Sequence, residues 1–77
     1  MTVLLVDVES EREVIDEYEG VPPNVSETIE VEVWDNPLTS RSASFIVVYR
    51  KVEIHKYPGG TVERRYICEC SPLRRSP

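Results

Sequence analysis

The chain has no glutamine and only two asparagines, Asn24 and Asn36. It has one histidine, one tryptophan, one phenylalanine and one methionine. Each scarcity closes a route. A single histidine, His55, leaves little from which to build a hydrolase triad or a histidine-rich metal centre. Two cysteines, Cys68 and Cys70, do not make a disulfide framework. No apolar run reaches the roughly 18 residues that a membrane span needs. The opening MTVLLVDVESE has no basic leader region and turns acidic within a few residues, so it does not read as a secretory signal. These features predict a cytoplasmic protein. The sequon Asn24-Val25-Ser26 is then read as chance. Few thermolabile amides beside 30% charged residues match the composition of thermophile proteins.

What is present is a folding chain. Its 77 residues are 40% apolar, enough for one small domain with a modest core. Net charge is −5 but unevenly placed. Residues 1–40 carry eleven acids and one base, and residues 41–77 carry eight bases and three acids. Such a split marks an interaction surface, unless the two halves neutralise each other within one molecule. The net acidity disfavours non-specific binding to nucleic acid, which needs positive potential.

Along the chain, Thr2–Val8 is a nearly continuous apolar run and reads as a strand. Ser10 and Glu13 form a capping-box pattern. Val14, Ile15 and Tyr18 then share a helical face, and Gly20 suits a stop. The spacing predicts a short helix over 11–19. Val21-Pro22-Pro23-Asn24 is a connector. Residues 28–35 alternate, with Ile29, Val31 and Val33 on one face and Glu30, Glu32 and Trp34 on the other. Residues 43–57 and 61–70 read as two further strands. The expected fold is α+β: a mainly antiparallel sheet of about four strands, in the order β-α-β-β-β, with one short helix on a face. The domain covers 1–70, and 71–77 is expected to be a flexible tail.

The stretch Tyr57-Pro58-Gly59-Gly60-Thr61 predicts a hairpin with a three-residue loop, built on a type I turn and a left-handed Gly60. That register sets Ile54 against Arg64, Val52 against Tyr66, Arg50 against Cys68 and Val48 against Cys70. One face then collects Ile46, Val48, Val52, Ile54, Val62, Tyr66, Cys68 and Cys70. The other sets Glu53 against Arg65 and His55 against Glu63. The long strand outruns its neighbours and leaves an edge to be covered.

Candidate chemistry follows from this register. His55 lies on the face away from Cys68 and Cys70, which excludes a single-chain His-Cys-Cys site. The two thiols are half of a structural zinc site, which a second copy could complete across a dimer. Asp7, Glu9 and Glu11 read as capping and solubility residues rather than a cation site. VLLVDVESEREVIDEY, residues 3–18, resembles the first strand and helix of a response-regulator receiver domain, where adjacent acids help bind magnesium. Val8 stands where a second acid would be, and the chain is too short for that fold, so no site is carried over.

No catalytic constellation and no cofactor motif is present. The residues singled out for interaction are Trp34, Leu38, Arg41, Lys56, Arg64 and Arg65. The function expected is a small non-enzymatic protein-interaction module, a regulator or inhibitor that pairs with itself as a homodimer or with another protein. The alternatives are nucleic-acid binding through the basic 41–66 hairpin and the metal-dependent role of Cys68 and Cys70.

Overall fold

A computed structural model describes residues 1–73. The architecture is all-β: five strands form one curled, mixed half-barrel sheet, and no helix occurs among the described residues. The strands are β1 (Thr2–Asp7), β2 (Glu13–Glu19), β3 (Thr28–Asn36), β4 (Thr39–Lys56) and β5 (Val62–Pro72). Their order across the sheet is β2-β1-β5-β4-β3. Every neighbouring pair is antiparallel except β1 and β5, which run parallel.

The α+β expectation fails at residues 11–19, which form no helix. They complete a hairpin with β1. The Ser10 carbonyl accepts the Glu13 N–H at 2.9 Å, and the two residues between, Glu11 and Arg12, have φ of 51° and 62°. This is a type I′ turn, whose twist matches that of the flanking strands. The apparent capping box is therefore a turn. The apparent helical spacing has a cause as well. A bulge shifts the register opposite Leu5 and Val6, so Asp16 pairs with Leu5, Val14 pairs with Val6, and Ile15 is the extra residue. Ile15 and Tyr18 both reach the core face. One inserted residue stretched a two-residue period to three, the step a helix also shows. The likeness to a receiver domain ends here, because its second half is a strand.

The core lies on the concave face. Val3, Leu5, Phe45, Val47, Cys68 and Cys70 are buried there, with Ile15, Tyr18, Ile29, Val31 and Tyr66 packed against them. Burying each large aliphatic side chain contributes about 1.5–3 kcal/mol. On the convex face Val6 and Ile67 are also buried. Val6 sits in register between Val14 and Glu69, and Arg12 reaches over to Glu69 at 2.6 Å.

The β4–β5 hairpin adopts the expected register from Lys56↔Val62 to Arg50↔Cys68. Its turn is a variant of the one expected. Gly59 and Gly60 both have positive φ, 95° and 93°, so Pro58-Gly59 forms a type II turn closed by Gly60 N–H to Tyr57 O at 3.3 Å. A bulge at Val48 then changes the pairing, so that Val47 rather than Val48 faces Cys70. Phe45 and Val47 enter the core in place of Ile46 and Val48. Beyond Cys70, β5 continues to Pro72, and Leu73 N–H bonds to Ser44 O at 2.8 Å. Ser71 and Pro72 thus belong to the sheet. The rest of the expected tail, 74–77, lies outside the described residues.

The link from β2 to β3 joins opposite edges of the sheet. Ser26 N–H and Glu27 O both bond to Val47, at 2.8 and 2.9 Å. Tyr18 donates its hydroxyl to Val21 O at 2.9 Å, and burial raises its pKa. Arg50 reaches Pro23 O and Asn24 Oδ1 at 3.4 and 3.3 Å, and lies over the Tyr66 ring. The link is thereby tied to the edge of β4 next to the start of β3.

Neither residue of the β1–β2 turn is the glycine or asparagine that left-handed geometry favours. Relieving one should stabilise the fold. Glu11→Asn is expected to raise stability by about 1 kcal/mol in urea unfolding. An unchanged or lower midpoint counts against a type I′ turn at this position.

Candidate interaction surface

Strand lengths set the surface. β4 has 18 residues, but β3 pairs only with its residues 39–46. The link from β2 takes the next stretch, at Val47. On the other side, β1 begins its pairing with β5 at Arg65. The end of the β4–β5 hairpin therefore projects as a ribbon with no third strand beside it.

One face of this ribbon carries Val52, Ile54 and Val62, which are 47%, 55% and 46% exposed. Lys56 pairs with Val62 and Arg64 with Ile54, so both bases share the apolar face. The opposite face carries Glu53 as a hub. Its carboxylate lies 3.1 Å from His55 Nε2, 3.1 Å from Arg65 Nε and 3.6 Å from Lys51 Nζ. The hydrogen bond with His55, followed by that with Arg65, holds the Glu53 carboxyl below its usual range. The Glu53–Arg65 pair was expected. The His55–Glu63 pair is in register but does not close. His55 turns to Glu53, and Glu63 accepts the Tyr57 hydroxyl at 3.3 Å.

The backbone of this ribbon has a definite phase. Tyr57 N–H bonds to Thr61 O at 2.9 Å, so the odd residues of β4 between 51 and 57 turn their N–H and C=O groups to β5. Val52, Ile54 and Lys56 turn theirs outward, to a free edge.

The six residues singled out from the sequence do not form one site. Lys56, Arg64 and Arg65 belong to the ribbon, with Arg65 on its Glu53 side. Trp34, Leu38 and Arg41 lie at the other end of a molecule 52 Å long. There the Asn36 side-chain oxygen accepts Leu38 N–H and Thr39 N–H at 2.8 and 3.1 Å, shaping a turn that leaves Leu38 90% exposed. Trp34 is 60% exposed on the same face as Glu30 and Glu32. Arg41 pairs with Val33 at the rim of an open recess of about 230 Å³, floored by Ile15, Val31 and Phe45.

The sequence reading gathered Val52, Ile54 and Val62 on one face with Cys68 and Cys70 and did not single them out as surface residues. Alternation shows which side chains share a face. It does not show whether anything covers that face. The excess length of β4 was the available signal.

Cys68 and Cys70 are both fully buried. Burial pushes the Cys70 thiol up to about 11, and the Cys68 thiol is raised for the same reason. Both thiols are enclosed by the core of their own chain, packed with Val3, Leu5, Phe45 and Val47. Among the described residues no three of histidine, cysteine, aspartate and glutamate are grouped to hold a metal. Asp7, proposed from sequence as a cap, accepts the Glu9 N–H at 2.9 Å within the β1–β2 turn.

Two expectations follow for the thiols. Neither reacts with a thiol reagent at pH 8 until the chain is unfolded. Because the folded Cys70 pKa lies above the ordinary value of 9.0, its contribution to stability is complete below pH 9 and falls away as pH rises towards 11. Urea midpoints measured over that range should fall more steeply in the parent chain than in Cys70→Ala. Rapid labelling of the native protein would overturn the buried placement.

No protein-family model, curated protein or solved structure matches the chain, so the reading of this surface rests on its own residues.

Proposed function

We propose that this protein is a non-enzymatic interaction module that engages another polypeptide through its β4–β5 ribbon. One observation carries the reading. Val52, Ile54 and Val62, each about half exposed, lie together on one ribbon face beside a free strand edge. An apolar stripe flanked by cationic groups, with open backbone donors and acceptors alongside, is the chemistry of strand addition. Backbone hydrogen bonds give affinity there, and alternate side chains give specificity. Lys56 and Arg64 favour an acidic or mixed-charge segment over a basic one. Two buried, unpaired thiols suit a reducing compartment, and the cytoplasm is the proposed location.

Nucleic-acid binding draws less support from the same geometry. Arg65 and Lys51 are engaged by Glu53, and Arg50 is turned to Pro23 and Asn24. Among the described residues of β5 and the far half of β4, Lys56 and Arg64 are the bases left to meet a phosphate backbone.

Photocrosslinking in the producing cell tests the interaction reading. A benzoylphenylalanine at position 54 or 62 is expected to give protein adducts. The same group at position 17, on the far edge strand, should not. Adducts absent from 54 and 62, or equally strong at 17, would remove the ribbon as the interaction surface.

A further inference from the structure

We infer that the ribbon pairs with the ribbon of a second copy, edge to edge, about a two-fold axis through Ile54. This rests on the reading of the ribbon as an interaction surface and names its occupant.

The geometry sets the register. The free edge of β4 is bounded on one side by the link held at Val47 and Arg50, and on the other by the turn that begins at Tyr57. The open segment is therefore 51–57, and its centre is Ile54. The backbone phase agrees. Ile54 turns its N–H and C=O outward, as do Val52 and Lys56. An antiparallel pairing centred there sets Ile54 against the partner's Ile54, and Val52 against the partner's Lys56. Each such pair exchanges both N–H···O bonds. No residue with inward-facing groups is asked to bond outward.

The side chains also agree. With Ile54 on the axis, Glu53 falls opposite the partner's His55, and Lys51 falls opposite the partner's Tyr57. Carboxylate meets imidazole, and ammonium meets an aromatic ring. On the apolar face the two Ile54 side chains meet, and each Val52 lies against the stem of the partner's Lys56. No like charges are placed opposite one another.

The other two edges do not offer this. β2 presents Glu13, Asp16, Glu17 and Glu19, and β3 presents Glu30 and Glu32. Self-pairing along either edge opposes carboxylates, which is a common way for a sheet to keep an edge unpaired. The segment 51–57 is the self-complementary one.

The pairing predicts a weak, small interface, expected to be populated at about 100 µM protein. Sedimentation at that concentration should show a dimer for the parent chain and a monomer for Ile54→Lys, with circular dichroism confirming that the variant keeps its sheet. Directly opposed residues of such a pair have Cα atoms about 5.5 Å apart, within disulfide range. Ile54→Cys should therefore oxidise to a covalent dimer. Val52→Cys should not, because its own copy lies about 13 Å away along the paired strands. Hydrogen exchange gives a third readout: the amides of residues 52, 54 and 56 slow as concentration rises, and those of 53 and 55 do not.

A parent chain that stays monomeric overturns the self-pairing. So does a dimer that survives Ile54→Lys, or equal crosslinking by the two cysteine variants. If position 54 still gives adducts to a different protein in the cell, only the identity of the partner has failed. If it gives none, the interaction reading has failed with it.

Discussion

The parallel ladder between β1 and β5 joins the first strand of the chain to the last, from Thr2↔Arg65 to Asp7↔Cys70. Without it the protein is two pieces, a β1–β2 hairpin and a β3–β4–β5 meander, tied by one link. The most deeply buried side chains cluster around that junction. Val3 faces Tyr66, Leu5 faces Cys68, and Val47 packs beside Cys70. Local turns form each hairpin at little entropic cost. The parallel ladder must close a loop of nearly the whole chain before any of its burial is gained. Folding is therefore expected to be slow for the size, with the core completed only when the termini meet.

Three bulges bend the sheet, opposite Leu5/Val6, at Val48 and after Trp34. The concave side holds a small core in which Cys68 and Cys70 pack with Val3, Leu5, Phe45 and Val47. β4 is longer than the strands beside the β4–β5 hairpin, so its far end runs past them and projects. The surface proposed for interaction is thus a consequence of strand lengths, not of a loop added to the fold.

How much of this was legible depended on whether a signal was local. The Tyr57–Thr61 turn fixes its register by chemistry within a few residues, and the ladder from Lys56 to Arg50 followed correctly. The alternation of Ile29, Val31 and Val33 placed β3. The strand at 13–19 was misread because a bulge at Ile15 imitated a helical step, and a bulge leaves no mark in a single sequence. Val48 was set against Cys70 for the same reason. The β1–β5 pairing joins residues more than sixty positions apart, and nothing local encodes it. Of the candidate residues, Lys56 and Arg64 do lie on the apolar ribbon face. Arg65 turns to Glu53. Trp34, Leu38 and Arg41 stand at the far end, since charge and exposure identify surface residues without saying which surfaces are continuous.

The charge split takes on a different meaning in the sheet. The halves touch at Arg12 and Glu69, but there the base comes from the acidic half and the acid from the basic half, so the pair does not offset the split. Much of the acid lies on β2 and β3, the outermost strands, and much of the base lies on β4 and β5. Both true edges of the half-barrel are therefore lined with carboxylates. An edge strand is a template for any extended chain, and like charge along it raises the cost of pairing with a copy of itself. The ribbon is the exception. Between 51 and 57 both signs occur, with Lys51, Glu53 and Lys56 set about a central Ile54. A sequence that repels itself along two edges and complements itself along a third has restricted where contact can occur. On the proposed self-pairing, that restriction is what separates one defined contact from indiscriminate edge-to-edge aggregation.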